Sequence, residues 1–222
     1  YYTLAAAQTH PDVIDDAERL CRWVHEVSDE VSEALSRDSQ GICAVARTEA
    51  IETSLPEIQS GDTLVVIAQG RDPGNVGTII RTADAMGARA IISVKGSVDS
   101  SSPKVIRSSA GSVFHLPIVP AASFDEACQT LRGMNAAILG TSGAQGAYSL
   151  TSLMSYAAWE RRGWLAQTHA WVFGNEAQGM SEAEMASCDA LVMIPMSGNA
   201  ESLNVASAAA MCLFASQSVR LG

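Results

Sequence analysis

The sequence predicts an α/β protein with a mostly parallel sheet and helices on both faces. From residue 62 to the end of the chain, short apolar segments alternate with helical segments, as in repeated strand–helix units. The composition agrees, because 47% of the residues are hydrophobic and only 5% are aromatic. An aliphatic, alanine-rich core of this kind suits helices packed on a parallel sheet better than a β-sandwich.

The elements after residue 62 can be placed from apolar runs and from turn or cap residues. Strands are predicted at 63–68, 89–94, 113–119, 136–139, 170–173 and 190–194. Helices are predicted at 75–86, 104–109, 124–132, 150–162 and 202–219. Ser123 and Ser181 are the expected N-caps of two helices, and Gly87 ends another.

The first 57 residues are predicted to be a separate segment, with the domain boundary between residues 57 and 58. Helical spacing of apolar residues over 12–36 predicts one long amphipathic helix. Alternatively, polar–apolar alternation at 23–27 predicts a short strand, after which Ser28 caps a second helix. A strand is predicted at 41–47, and a linker follows at 48–60.

The charge is unevenly distributed along the chain. The net charge of −10 disfavours a nucleic-acid partner overall, because phosphate binding requires Lys and Arg. Residues 1–57 carry twelve acids against four Arg, whereas residues 71–107 carry six basic residues against three acids. A local basic face is therefore expected in the second region. The candidate RNA-contacting residues there are Arg71, Arg81, Lys104 and Arg107.

Several other classes of protein or site are disfavoured. The five cysteines are scattered without a C-x-x-C pair, so we expect reduced thiols, a cytoplasmic protein and no metal site. The four histidines are expected to pack or cap rather than to catalyse. No apolar run reaches the length of a membrane span, and no signal peptide is expected. Because the sequence starts with Tyr1 rather than Met, we expect residues upstream of it.

The common nucleotide-binding motifs are absent from the sequence. No G-x-x-x-x-G-K-[ST] occurs, and the glycines at 70, 74 and 77 do not have the G-x-G-x-x-G spacing. No acidic residue closes the second predicted strand, where it would bind a ribose. Ordinary dinucleotide chemistry is therefore disfavoured.

A first motif follows the first predicted strand, with the sequence D-P-G-N-V-G-T-I-I-R at 72–81. Asn75 is the expected N-cap of the next helix, and Gly77 lets a backbone or ligand approach closely. Arg81 follows Asn75 by nearly two turns, so both lie on roughly one helix face. By themselves these features indicate a capped helix with a surface arginine.

Two more motifs follow later strands. Residues 171–181, W-V-F-G-N-E-A-Q-G-M-S, lead from a strand into a loop that presents backbone N–H groups and the Glu176 carboxylate. Residues 194–206, I-P-M-S-G-N-A-E-S-L-N-V-A, lead into the last helix, with Ser202 as the expected N-cap and Asn204 in its first turn. Either ligand contacts or simple turns and caps explain each motif taken singly.

In this order, the three motifs closely resemble the signature motifs of SpoU-type (SPOUT) RNA 2′-O-ribose methyltransferases. They are N-x-G-x-x-x-R, G-N-E-x-x-G and I-P-M followed by E-S-L-N-V-A. The tract G-S-V-F-H-L-P at 111–117 is also similar, and the resemblance covers about residues 62–222.

The resemblance implies an S-adenosylmethionine-dependent enzyme that methylates a ribose 2′-hydroxyl of RNA, and the L30e-like segment described below favours ribosomal RNA over transfer RNA as the substrate. It also implies a C-terminal trefoil knot, a rare exception among folds, and a homodimer with the active site beside the subunit interface. Residues 1–57 resemble the tail of an L30e-like RNA-binding domain. That resemblance favours the helix–strand–helix interpretation of residues 12–36.

The same resemblance assigns roles to residues. Arg81 is the central catalytic residue, supported by Asn75, Glu176, Ser202 and Asn204. The implied S-adenosylmethionine-binding residues are Thr141, Ser142, Gly143, Phe173, Gly174, Asn175, Glu176, Gly179, Ile194, Pro195, Met196, Ser202 and Leu203. The pKa of an arginine is about 12 or more, so we expect Arg81 to position RNA and stabilise the oxyanion. The proton would pass to an RNA phosphate, to water or to Glu176.

The sequence leaves two alternatives open. One is a methyltransferase acting on transfer RNA, and the other is a non-catalytic RNA-binding or assembly factor that kept the knotted fold. The presence of all five expected catalytic residues disfavours the second alternative.

Overall fold

The structure is a computed structural model that describes residues 1–51, 53–175 and 178–221. The chain divides into two compact units, Tyr1–Arg47 and Thr48–Gly222. Residues 48–57, expected in the first segment, group with the second unit. Ile51 is buried in its core, and the Thr53 N–H donates to the Ile118 carbonyl at 3.0 Å. The L30e-like character of the first unit stays a prediction.

The first unit contains the helices α1 (Leu4–Thr9), α2 (Pro11–Leu20) and α3 (Asp29–Leu35). Between α2 and α3 the backbone pairs with Tyr2, whose N–H donates to the His25 carbonyl at 3.0 Å and whose carbonyl accepts from Val27 at 2.8 Å. Ser28 caps α3. A single helix over residues 12–36 is therefore wrong, because pairing with Tyr2 interrupts it. The predicted strand at 41–47 is reduced to one bridging residue, Ile42.

The described part of the second unit contains the strands β1 (Thr63–Ile67), β2 (Ala90–Val94), β3 (Ile118–Ala121), β4 (Ala137–Thr141), β5 (Tyr148–Ser149), β6 (His169–Phe173) and β7 (Ala190–Met193). They form one sheet in the order β3-β2-β1-β6-β4-β7-β5. All neighbouring strands are parallel. The predicted α/β class is confirmed. The strand predicted at 113–119 begins only at Ile118, because residues Ser112–Phe114 form a 3₁₀ turn.

Helices cover both faces of this sheet. They are α4 (Pro73–Ala85), α5 (Pro103–Ser108), α6 (Phe124–Gly133), α7 (Leu150–Glu160), α8 (Glu182–Ala186) and α9 (Val205–Leu221). Residues of α4, α5, α7 and α9 pack in one apolar cluster, and residues of α6 and α8 pack in the other. Because side chains alternate along a strand, Val65 and Ile67 of β1 enter the first cluster and Leu64 and Val66 the second.

A buried polar network fixes α9 to the amino end of β6. The Trp171 indole N–H donates to the Ser216 hydroxyl at 2.8 Å, and Ser216 lies 2.7 Å from His169 Nε2. His169 Nδ1 lies 2.7 Å from the Gln167 carbonyl, which can only accept, so Nδ1 carries the proton and Nε2 accepts from Ser216. His169 therefore packs and hydrogen-bonds in the core, at the end of the strand opposite the loops described below.

We expect His169 to make the protein sensitive to acid. Burial lowers the pKa of His169 from 6.5 to about 4. Between these values the unfolded chain binds a proton that the folded chain does not. The stabilisation is thus complete above about pH 6.5 and is lost as the pH falls toward 4, by about 3 kcal/mol. Urea unfolding at several pH values should show a shallower decline for His169→Gln, and equal declines would contradict this role.

Candidate functional site

Four chain segments meet at the carboxyl edge of the sheet. The first motif (72–81) follows β1, and the loop that we call the G-N-E loop (174–179) follows β6. The I-P-M segment (194–196) follows β7, and residues 141–143 end or follow β4. The strands β1, β6, β4 and β7 are consecutive neighbours, and neighbouring strands lie about 4.8 Å apart. The sheet therefore brings all of the predicted cofactor loops to the edge where α/β proteins bind ligands.

Helix α4 begins before the position predicted for its N-cap. The Asp72 carboxylate accepts from the Asn75 N–H at 2.8 Å, and Pro73 occupies the first helical position. The prediction that Asn75 caps this helix is wrong, because Asp72 precedes a proline suited to the first turn. The Asn75 side chain instead lies within the first turn, facing the third motif.

Asn204 joins the first and third motifs. Its Nδ2 donates to Asn75 Oδ1 at 3.0 Å. Its Oδ1 accepts from the Ala206 N–H at 2.9 Å and from the Ser207 N–H at 3.3 Å, which caps α9. Ser202 is therefore not the N-cap, and α9 begins at Val205 rather than at residue 202. One amide side chain thus caps a helix and orients a second amide.

The helices α4 and α9 are also connected at their other ends. The Arg220 guanidinium donates to the Met86 carbonyl at 3.1 Å and to the Gly87 carbonyl at 3.2 Å. These carbonyls lie at the end of α4, where a cation is favourable. The two helices therefore run parallel, with both amino ends at the carboxyl edge of the sheet. Sequence reasoning missed Arg220, and its position in the last turn of the last helix was the available signal.

Arg81 is exposed on α4 and forms no ion pair with the described residues. Asp84, the nearest acidic residue along the helix, lies 3.3 Å from His115 Nδ1. Asp84 therefore pairs with His115 and not with Arg81. On the buried side of the helix, a Cβ on Gly77 would lie 1.9 Å from Ser108 Oγ and 2.7 Å from the Val105 carbonyl. The close approach at Gly77 is thus to α5.

The other predicted RNA contacts are Arg71, Lys104 and Arg107, and all three are exposed. Arg71 immediately precedes the cap of α4, and the other two lie on α5, which packs against α4. The Lys104 ammonium lies 4.0 Å from the Asp72 carboxylate, an exposed pair worth little stability. The four basic residues therefore lie on α4, on the adjacent helix α5 and in the loop before α4.

The G-N-E loop folds back on itself directly after β6. Asn175 and Gly179 exchange two backbone hydrogen bonds of 3.0 and 2.8 Å, and Asn175 Oδ1 accepts from the Gln178 N–H at 3.1 Å. A Cβ on Gly174 would lie 2.7 Å from the Gly179 carbonyl carbon and oxygen. Only glycine fits there without displacing backbone. Glu176, predicted for catalysis and cofactor binding, lies outside the described residues.

The loop after β4 is held to both neighbouring strands. Thr141 donates its hydroxyl to the Val172 carbonyl at 2.9 Å, and the Ser142 N–H donates to the Val192 carbonyl at 3.0 Å. The Ser142 hydroxyl accepts from the Ala144 N–H at 3.1 Å. Gly143 is exposed, and a Cβ there would meet nothing within 4 Å. This loop is therefore a fixed surface between the other two cofactor loops.

The third loop is more open. Ile194 and Leu203 are partly buried, whereas Pro195, Met196 and Ser202 are exposed. No hydrogen bond among the described residues involves the Ser202 side chain. The segment thus presents apolar and hydroxyl groups beside the Asn75–Asn204 pair, and these groups are largely accessible to a ligand.

Two general observations concern the described residues as a whole. Within residues 1–51, 53–175 and 178–221, no group of three His, Cys, Asp or Glu side chains could hold a metal ion. Over the same residues, no helix is long and apolar enough to cross a bilayer.

The site thus combines Gly-rich loops at the carboxyl edge of an α/β sheet, where such proteins commonly bind ligands, with a fixed amide pair and an exposed arginine on α4. The SpoU rRNA methylase family matches residues 62–214. The chain is 32% identical over 215 residues to the 23S rRNA (guanosine-2′-O-)-methyltransferase RlmB of Bordetella pertussis, covering 94% of this chain and 83% of that protein. It is 33% identical over 187 residues to the 23S rRNA (guanosine(2553)-2′-O)-methyltransferase RlmP of Bacillus subtilis, covering 81% and 70%.

Solved structures of methyltransferases are also similar to this chain over most of its length. The SpoU methyltransferase AviRb from Streptomyces viridochromogenes, in complex with AdoMet, superposes with a TM-score of 0.76 at 26% identity and covers 99% of this chain and 81% of that one. An AdoMet-bound rRNA methyltransferase from Sinorhizobium meliloti gives 0.75 at 28% identity, covering 95% and 77%. The chain belongs to the SpoU rRNA methylase family.

Proposed function

We propose that the protein transfers a methyl group from S-adenosylmethionine to a ribose 2′-hydroxyl of 23S ribosomal RNA. The observation that carries the proposal is the 3.0 Å Asn204–Asn75 hydrogen bond, which joins the first and third family motifs beside the G-N-E loop. The relatives named for 23S rRNA match over most of this chain and favour ribosomal over transfer RNA. A ribosomal substrate also favours action in the cytoplasm.

The residues present fit the cofactor. S-adenosylmethionine supplies an electrophilic methyl group on its sulfonium. Residues 141–143, 173–179 and 194–196, with Ser202 and Leu203, would hold it. These loops offer backbone N–H and carbonyl groups, partly buried apolar side chains, and at Gly174 a turn too tight for a Cβ. Little charge is needed for such binding, which accounts for the Gly-rich loops.

Arg81 would act on the RNA. A ribose hydroxyl is a weak nucleophile, so its developing negative charge needs a donor as its proton leaves. The exposed guanidinium of Arg81 can donate to that oxygen and to an RNA phosphate, and Arg71, Lys104 and Arg107 can contact neighbouring phosphates. A guanidinium stays protonated at neutral pH, so the proton would pass to an RNA phosphate, water or Glu176.

The trefoil knot and the homodimer belong to the same proposal. The position of β6 between β1 and β4, away from its sequence neighbours β5 and β7, supports a threaded C-terminal half. The α9 side chains Met211, Phe214 and Leu221 remain exposed, with Phe214 at 56%. Burying such a row of apolar side chains against a second copy is favourable.

We expect Phe214→Glu to convert the dimer to a monomer, because a carboxylate in an apolar interface loses its hydration. Light scattering at micromolar concentration would measure this. Leu20→Glu, at an exposed leucine of the first unit, is the control and should leave the dimer intact. A wild-type protein that is monomeric would contradict the proposal.

The function itself is tested by mapping 2′-O-methyl groups on ribosomal RNA with and without the protein. A new 2′-O-methyl nucleotide in 23S RNA, dependent on S-adenosylmethionine, is expected. Methylation of transfer RNA alone would replace the substrate in the proposal. Absence of cofactor binding would instead favour the non-catalytic RNA-binding alternative.

A further inference from the structure

Glu184, in α8, is a buried carboxylate with more hydrogen bonds than its helix requires. The residue is 9% exposed. Glu184 Oε2 accepts from the Ser181 N–H at 2.7 Å and from the Ser181 hydroxyl at 2.9 Å, which completes a capping box at the start of α8. Glu184 Oε1 accepts separately from Gln69 Nε2 at 3.0 Å. The second oxygen is not needed for the cap and connects α8 to another part of the chain.

The carboxylate is ionised in this environment. Burial raises the pKa of Glu184, but hydrogen bonds from the Ser181 N–H, from Gln69 and from the Ser181 hydroxyl together lower it below its ordinary value. Ser181 lies two residues after Gly179, where the G-N-E loop ends. The charge that Gln69 contacts is therefore fixed to the end of that loop.

Gln69 lies where β1 passes into α4, in a segment with little freedom. The preceding Ala68 N–H donates to the Phe173 carbonyl at 3.0 Å, at the start of the G-N-E loop. The following Gly70 N–H donates to Ser97 Oγ at 3.2 Å, and a Cβ on Gly70 would lie 2.7 Å from Ile67 and Val76 side-chain atoms. Soon after Gln69, Asp72 caps the helix that carries Asn75 and Arg81.

We propose that Gln69 is a positioning residue that couples the G-N-E loop to helix α4 through Glu184. The inference rests on the proposed function, because the two elements it connects would hold the cofactor and the RNA. Together with Ala68, it attaches the segment before α4 to both ends of the G-N-E loop. A cofactor bound against the described ends of that loop therefore restrains the amino end of α4, and with it Asn75, in its reactive position.

The pair can be tested by exchanging its members. Gln69→Leu removes the donor at similar side-chain size, and Gln69→Glu places two carboxylates together. The double variant Gln69→Glu with Glu184→Gln reverses the pair. Its new amide at position 184 can still accept from Ser181, since glutamine is allowed in a capping box, and can donate to the new carboxylate at position 69.

Glu126→Gln is the matched control for these variants. Glu126 accepts from the Ala122 N–H at 2.6 Å beside the cap of α6, so it is also a carboxylate at a helix start. It contacts neither Gln69 nor Glu184. Its substitution therefore changes the same functional group at a helix start without touching the pair.

Three measurements are needed: single-turnover methylation, hydrogen exchange and the melting temperature, of which the last two do not depend on RNA. Single-turnover methylation at saturating cofactor and RNA should fall on the order of tenfold in Gln69→Leu and Gln69→Glu, as expected for misplaced groups. The double variant and Glu126→Gln should stay near wild type. In hydrogen exchange, S-adenosylhomocysteine should slow the amides of residues 69–76 in the wild type and in the double variant, but not in Gln69→Leu.

The outcomes separate this inference from the proposed function. If the wild-type protein fails to methylate RNA but the exchange pattern is as expected, the function is wrong and the coupling stands. If S-adenosylhomocysteine leaves residues 69–76 of the wild type unchanged, the coupling is wrong. It is also wrong if Gln69→Leu keeps its rate, or if the double variant regains its melting temperature without its rate, since the pair would then only brace the fold.

Discussion

Arg81→Ala should lower the rate of methyl transfer by about 10²–10³, the usual loss for one donor aimed at developing negative charge. The Kd for S-adenosylmethionine should stay within about twofold, because the change removes no cofactor loop contact. The structure supports this expectation, since Arg81 is exposed on α4 and Asp84 engages His115 instead. Single-turnover methylation alongside cofactor titration measures both quantities.

Two further variants make the result specific. Arg81→Lys should rescue poorly, because an ammonium lacks the planar fork that can hold a phosphate and an oxygen together. Arg89→Ala is the control: Arg89 lies at the opposite edge of the sheet and donates to the Glu57 carbonyl at 3.1 Å. Near-normal turnover of Arg81→Ala would refute the catalytic role, and lost cofactor affinity would assign Arg81 to the cofactor site.

Gly174→Ala should weaken cofactor binding strongly. The added Cβ would lie 2.7 Å from the Gly179 backbone, so the G-N-E loop must open. Overpacking costs about 1–3 kcal/mol, and a cofactor site that must restore the closed loop would lose roughly 5- to 150-fold in affinity. Calorimetry measures the Kd directly. A thermal shift provides a second measure, since a ligand at a hundredfold excess over its Kd stabilises by about 2.7 kcal/mol.

Gly133→Ala is the matched control for this change. Gly133 ends α6, and a Cβ there would meet nothing within 4 Å. The control should therefore bind S-adenosylhomocysteine like the wild type. If Gly174→Ala also keeps wild-type affinity, the loop after β6 does not hold the cofactor and the proposed site must be placed elsewhere.

The strand and helix segments of the second unit were predictable because their periodicity reflects burial. The five residues of β1 are all buried, and so are most of those in β2 and β6, which gives continuous apolar runs. β5 has only two residues, too few for any pattern. In the first unit, helical spacing continued across residues 12–36 although pairing with Tyr2 interrupts the helix. The spacing of apolar residues within 12–36 gives no information about pairing with Tyr2, which lies outside that segment.

The residue at which a helix begins was harder to predict than the presence of the helix. In D-P-G-N both Asp72 and Asn75 are good N-caps, and in S-L-N-V both Ser202 and Asn204 are. Pro73 was a usable signal for Asp72, because proline favours the first helical position. Nothing local distinguishes Ser202 from Asn204. The site residues themselves followed from family resemblance, and the Gln69–Glu184 pair lay outside every motif.

The Asn204–Asn75 hydrogen bond spans 129 positions of the chain. During synthesis, the first motif leaves the ribosome long before Asn204 exists, since translation adds about 5–20 residues per second. The contacts of α4 with α9 can form only after α9 has been synthesised, and this includes the hydrogen bonds from Arg220 to the carboxyl end of α4. Contacts of such long range also form slowly. A chain interrupted before its last helix would therefore possess most of the sheet and no assembled active site, so an unfinished molecule cannot modify RNA.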